Sequence, residues 1–458
     1  MDPAAAVGSS GIGETVFYAL YGALLFLDPE TKEIEPKIAT ELVPDDKALI
    51  WTLRLRDDVE FSDGTPFDAE AVKVNWERIA DPETLSPNMG YASQIKTLSV
   101  VSPTELQITL NKANSGFDSL VAQRLSYIGS PTAIKKEGED FYANPVGAGP
   151  FVLKDWVRDS SKTLKRNESY YDNPRPYLDE LKILTLPDQG QGDTMMVAGQ
   201  ADCKVTWSSK SLTKVESQGL EAETVEVNGS PSLSLNTARA PFDDVRVRMA
   251  VAQALDTEQG ADVTGTFIPA EPPLADDPDL RWPAPDVEGA QELFDEYAAE
   301  NGDIEFTIGA FQDSDNQAEA EWIQAALNQF DHVHAEVEFD ASATALSNVY
   351  GGNYQAHTWG NQIFTPADYY QYAHSESQQN VSSYDNPAVD EELDAALGTL
   401  HPEERLGHYR NVVEQLAEDV PFVVYGTRQA STIHVDTLHD VHLYNDGLIL
   451  WDQVWTAK

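Results

Sequence analysis

Between Trp51 and Arg78 the chain reads WTLRLRDDVEFSDGTPFDAEAVKVNWER, and no other stretch constrains the fold as tightly. Trp51, Leu53 and Leu55 alternate with Thr52, Arg54 and Arg56, which predicts a strand with one apolar face. Asp57-Asp58 turns the chain, Val59 and Phe61 resume the alternation, and Ser62-Asp63-Gly64 is a second turn. Asp68 is placed to cap a helix whose buried stripe is Val72, Trp76 and Ile79. The expectation is strand, turn, strand, turn, helix.

The chain beyond this unit alternates strands and helices in a mixed α/β pattern. Thr97–Val101 and Glu105–Leu110 flank Ser102-Pro103-Thr104 as a hairpin, and 117–125 reads as a helix. Phe151-Val152-Leu153 and 162–166 read as paired strands, with Gly147 and Gly149 supplying backbone freedom just before them. Leu233 to Asn236 is a strand, and Asp243-Asp244 caps a helix carrying Val247, Ala250, Val251 and Ala254. Helices are expected over 290–299, 318–330 and 402–418, and a strand over 304–311. The run from Val16 to Leu27 is expected to be a buried helix.

Read as a string, hydrophobic-Arg-x-x-Val-x-Phe-x-Asp-Gly-x-Pro-Phe-x-Ala-Glu-x-Val, from Leu55 to Val72, resembles the signature of the family 5 extracellular solute-binding proteins. These are dipeptide-, oligopeptide- and nickel-complex-binding receptors of ABC importers. Further blocks resemble the family in its order: 144–188 with Asn167, Tyr170-Tyr171 and Pro176-Tyr177-Leu178-Asp179-Glu180, then 233–256, then 384–390 and 419–425. The resemblance implies an α/β, two-lobe periplasmic-binding-protein type II fold with a small accessory α/β domain inserted in the first lobe. On that pattern 1–33, 148–235 and 430–458 form the first lobe, 34–147 the accessory domain and 236–429 the second lobe. It implies capture of a small solute by hinge closure and delivery to ABC transporter permease subunits, by a monomer in an extracytoplasmic location. Met1-Asp2-Pro3 would stand where the family has a Leu-Asp-Pro segment, so a signal, a lipobox and a first strand would be missing. Membrane attachment is expected only through such an anchor.

Composition closes several alternatives. With 77 acidic and 30 basic residues the net charge is −47, which repels phosphate backbones and anionic lipid, so nucleic-acid and membrane-surface binding are excluded. The same acidity suits either solubility alone or a high-salt habitat, where ions screen self-repulsion. No apolar run approaches the ~20 residues of a membrane span. The single Cys203 rules out an intrachain disulfide.

Expected ligand chemistry centres on Thr358-Trp359-Gly360-Asn361. In peptide-binding relatives a tryptophan-containing segment here is followed by an aspartate that pairs with the peptide's α-ammonium. This chain carries Asn361, whose amide donates and accepts hydrogen bonds but cannot neutralise a cation. The implied solute is neutral or anionic, such as an oligosaccharide or aromatic acid, with a di- or oligopeptide as the alternative. Trp359 is a stacking platform or a core residue, and Trp207, among Thr206, Ser208 and Ser209, is a second candidate. Arg124 could hold a ligand carboxylate or serve a surface ion pair, and Tyr91, Asn236 and Tyr354 complete the expected ligand-binding set. No metal or cofactor is expected: His332 with His334, and His439 with His442, lack ligand spacing, and His374 would at most touch a chelated metal. No Gly-x-Ser-x-Gly elbow, His-Glu-x-x-His or phosphate-cradling loop is present, so the chain is not expected to be an enzyme. A hydrolase of oligosaccharides is the reading from a different class.

Overall fold

The computed structural model describes all residues except 6–11, 29–30, 32, 187–188, 208, 228–229, 256–273, 275–279, 281, 313, 362–364, 426–427, 445–446 and 458. The chain divides into two compact units: residues 1–227 with 429–458, and residues 228–428.

In the first unit, the Trp51–Arg78 stretch builds the centre of one core. Strand Ile50–Leu55 lies inside an antiparallel sheet ordered Ala39–Pro44, Ile50–Leu55, Glu105–Leu110, Ile95–Ser102. Trp51, Leu53 and Leu55 are buried, and Arg54 faces water between Glu41 and Glu105. Asp68 caps helix Ala69–Ala80 by accepting from the Ala71 N–H at 2.9 Å. Val72, Trp76 and Ile79 are buried against the sheet, and the Trp76 indole donates to the Leu125 carbonyl at 2.9 Å. Val59–Phe61 does not form the expected strand. It makes one isolated bridge, Glu60 to Pro66, and buries Phe61 against Phe67 at 4.9 Å. The turn at Ser62-Asp63-Gly64 follows too soon for a ladder.

Two more expectations are corrected here. Val16–Leu27 is not one helix: helix Ile12–Tyr21 stops at Gly22, whose φ of +63° no continuing helix allows, and Leu25–Leu27 is a strand paired with Ile34–Pro36. Gly147 and Gly149 serve space rather than freedom. A Cβ on Gly147 would stand 2.3 Å from the Leu20 carbonyl oxygen, and one on Gly149 2.5 Å from the Leu20 carbonyl carbon. Next come antiparallel strands Phe151–Val157, Ser161–Arg166 and Glu180–Leu184, around a core of Phe151, Leu164 and Leu181.

The second unit is organised on a five-stranded sheet among the described residues, ordered Val333–Asp340, Ile304–Phe311, Ala356–Asn361, Ser230–Leu235, Phe422–Val424. Ile304–Phe311 runs parallel to both its neighbours, and Ser230–Leu235 antiparallel to both of its own. Period-two alternation splits each strand between faces. Leu233, Leu235, Ile308, Ala310, Ala356 and Val423 enter one core with the helices Val245–Ala254, Val287–Asn301 and Ser314–Leu327. Residues of opposite parity occupy the other face, where Phe422 and Val424 meet the helices Tyr369–Ala373, Pro387–Gly398 and Pro402–Asp419. The division falls at residues 227 and 228, so Ser230–Leu235, assigned above to the first lobe, is an inner strand of the second unit.

Candidate ligand-binding site

The second face of that sheet brings Trp359 and Asn361 together. Ser232 stands opposite Trp359 on one side and Val424 on the other, while Ser234 stands opposite His357 and Phe422. On the parallel side Gly309 is level with His357. Two residues further, Phe311 stacks on half-buried Trp359, with centroids 6.0 Å apart and planes 26° from parallel. Tyr350 meets the same indole edge-on at 6.0 Å. Trp359 is therefore set in an aromatic bracket, with the short side chain of Ser232 directly across the strand pair.

The polar groups around the indole are unusual. Ser232, His357 and Asn361 are 0%, 1% and 3% exposed, yet among the described residues Ser232 Oγ, His357 Nε2 and Asn361 Nδ2 have no hydrogen-bond partner. His357 Nδ1 lies 2.6 Å from the Thr358 carbonyl oxygen, which only accepts, so Nδ1 carries the proton and Nε2 the lone pair. Burial holds the imidazole below the ordinary histidine range, against the opposing pull of the Thr358 carbonyl and the Asp340 charge. The patch thus offers one donor, one acceptor and one hydroxyl able to act as either. A buried polar group left unpaired costs about 1–3 kcal/mol. Several such groups on one patch mark a place where stability has been given up, as happens at functional sites.

The remaining candidates divide between the units. Tyr354 is buried beside this face, its hydroxyl bonded to Ser234 Oγ at 2.8 Å and to the Val381 carbonyl. Asn236 is a clasp: its Nδ2 donates to the carbonyls of Gly352 and Tyr354, and its Oδ1 accepts from the Ala238 N–H. Its amide has no hydrogen left for a solute. In the first unit, Arg124 lies over the buried Tyr91 ring at 5.2 Å from the centroid. Trp207 is 39% exposed, between strand Cys203–Thr206 and helix Ser209–Glu216.

Sequence reasoning missed Ser232, His357, Phe311 and Tyr350. The signal for the first two was present as alternation: SPSLSL and AHTWGN each place every second residue on one face. Which alternating faces meet depends on strand order, which the sequence does not display. Among the described residues no group of three or more His, Cys, Asp or Glu side chains could hold a metal ion. No helix of the described residues is long and apolar enough to cross a membrane.

Residues 33–383 match the model of "Bacterial extracellular solute-binding proteins, family 5 Middle". The chain belongs to this family. Family 5 proteins are extracytoplasmic and deliver solutes to the permeases of ABC importers. This family 5 receptor is 26% identical to the glutathione-binding protein GsiB of Shigella flexneri over 450 residues, covering 93% of this chain and 87% of that one. Its fold is that of type II periplasmic binding proteins. It superposes with a TM-score of 0.86 on AgaA from A. tumefacien R10 in complex with agropinic acid, at 22% identity over 100% of this chain and 96% of that one. With AppA of Bacillus subtilis in complex with a nonapeptide the TM-score is 0.84, at 19% identity and the same coverage.

Proposed function

We propose that this family 5 receptor captures a neutral or anionic small solute on the second face of the 228–428 unit's sheet, with Trp359 as its stacking surface. The observation that carries this reading is Asn361. Its buried Nδ2 is a donor without an acceptor, in the position where the family resemblance implies a carboxylate for a peptide's ammonium. An ammonium brings only donors, and the amide cannot neutralise its charge. His357, held neutral by burial, adds no charge to the patch. The names of relatives that bind glutathione and agropinic acid support a receptor rather than an enzyme.

A second reading, a peptide solute, is favoured by the names of relatives that bind glutathione and a nonapeptide. The two separate in a thermal-unfolding panel of peptides, glutathione, oligosaccharides and aromatic acids. A solute at a hundred times its dissociation constant adds about 2.7 kcal/mol to native stability. Stabilisation by sugars or aromatic acids and not by peptides supports the Asn361 reading. Stabilisation by peptides with free α-amines refutes it.

A further inference from the structure

The unpaired groups are not scattered around Trp359; they are its nearest neighbours on the face. His357 and Asn361 precede and follow it by two residues on one strand, and Ser232 is its direct partner on the next. All are almost wholly covered, while Trp359 itself is only half-buried. Its ring partners are Phe311 and Tyr350, at 6.0 Å between centroids, and His357 at 6.1 Å, and part of the indole surface stays open to solvent. We propose that the Trp359 indole is a movable cover over a polar floor made of Ser232, His357 and Asn361, and that this floor takes the hydroxyl groups of a neutral, polyhydroxylated solute of oligosaccharide type. This rests on the receptor reading above and narrows it.

The chemistry of the floor narrows the class to solutes that bring donors and acceptors together. A carboxylate brings only acceptors and leaves His357 Nε2 unpaired; an ammonium brings only donors and leaves Asn361 Nδ2 unpaired. A hydroxyl is both donor and acceptor, so a solute bearing several can satisfy every member of the floor. The span agrees, because residues four apart on a strand are about 13 Å apart at roughly 3.3 Å per residue. One small group cannot bridge His357 and Asn361, but a row of hydroxyls on a di- or trisaccharide reaches both. Displacing the indole exposes groups that lack partners, so the hydrogen bonds formed to the solute offset the lost ring contacts.

The test is calorimetric titration with cellobiose and maltotriose, beside glutathione and an uncharged blocked dipeptide, on the wild type and on Ser232→Ala. In the solute-free protein, Ser232→Ala leaves the melting temperature unchanged or raises it, because it deletes an unpaired buried hydroxyl. The same substitution weakens binding of the sugar about 2- to 12-fold, the loss of one hydrogen bond of roughly 0.5–1.5 kcal/mol. A ligand-induced change in tryptophan fluorescence, present in the wild type, is lost in Trp359→Phe. A lower melting temperature for solute-free Ser232→Ala, or unchanged sugar affinity, overturns the floor. Binding of the dipeptide or glutathione but of neither sugar overturns the class and leaves the receptor reading standing. Binding of no member of the panel overturns both.

Discussion

Gly309 and His357 share one place in the sheet: a Cβ on Gly309 would stand 2.6 Å from the imidazole Cδ2. The ring cannot simply yield, since Phe311, Tyr354 and Trp359 meet it edge-on at 5.5, 6.0 and 6.1 Å. Gly309→Ala is therefore expected to destabilise the protein by about 1–3 kcal/mol, the usual range for overpacking. It should also weaken solute binding by displacing His357 against Trp359. Urea unfolding measures the first effect and calorimetry the second. A variant as stable as the wild type would show that the imidazole has room to move.

What the sequence made legible follows from range. Asp68 with Val72, Trp76 and Ile79 is a local pattern, readable within a dozen residues, and the structure reproduces it. Asp244 before Val247, Ala250 and Val251 is equally local, its side chain accepting from the Arg246 N–H at 2.9 Å. The misread segments fail where a tertiary contact overrides periodicity. Leu25–Leu27 looks helical in an apolar run but pairs with Ile34–Pro36 beyond Gly22. The floor of the site was invisible for a different reason. Ser232 and Trp359 are far apart in the chain and become neighbours only through strand order, and no residue type announces an unpaired hydroxyl.

His357 gives the stability of the protein a pH signature. Its folded value lies below the ordinary 6.5 because burial penalises the imidazolium, with the Thr358 carbonyl and Asp340 opposing. The unfolded chain then takes up a proton below pH 6.5 that the folded chain refuses, so stability is full above that value and falls as the pH drops through it. His357→Gln removes the step. The difference in unfolding free energy between wild type and variant should be flat above neutrality and change against the wild type below pH 6.5. A constant difference from pH 8 to pH 5 would contradict a buried neutral imidazole.

Buried Asp193 is the partner of a partly buried cation in the first unit. Lys204 and Ser211 both donate to its Oδ1, Lys204 also reaches Ser211 at 2.7 Å, and Lys214 lies 3.6 Å from Oδ2. Burial pushes the Asp193 carboxyl up, but the bonds from Lys204 and Ser211 outweigh it and hold the group below its ordinary 3.8. Stability from this group is present above that value and is lost as the pH falls through the folded value. Asp193→Asn keeps the shape but removes the negative charge beside the Lys204 ammonium, whose side chain is 10% exposed. The expected cost at pH 7 is about 3–5 kcal/mol. Urea unfolding of both proteins should show it, and the gap should close as the pH drops below the carboxylate range. A cost under about 1 kcal/mol, typical of exposed pairs, would mean that water reaches the cluster.

Salt should stabilise this protein, and the sign is decided by imbalance. Surface pairs such as Arg54 with Glu105 and Arg246 with Glu300 weaken as ions are added, but exposed pairs contribute little to stability. Against them stand 77 acidic and 30 basic residues, so most carboxylates have no basic partner and repel one another across the surface. The screening length falls from about 30 Å at 0.01 M to about 3 Å at 1 M salt, below the spacing at which neighbouring charges are felt. Repulsion is therefore relieved more than attraction is lost. The melting temperature should rise between 0.01 M and 1 M sodium chloride, by the same amount in potassium chloride, since screening depends on charge and not on ion identity. Near pH 4.2, where the positive and negative charges balance, the rise should disappear. A melting temperature that is flat or falls with salt at pH 7 would show that the acidic surface is already compensated within the fold.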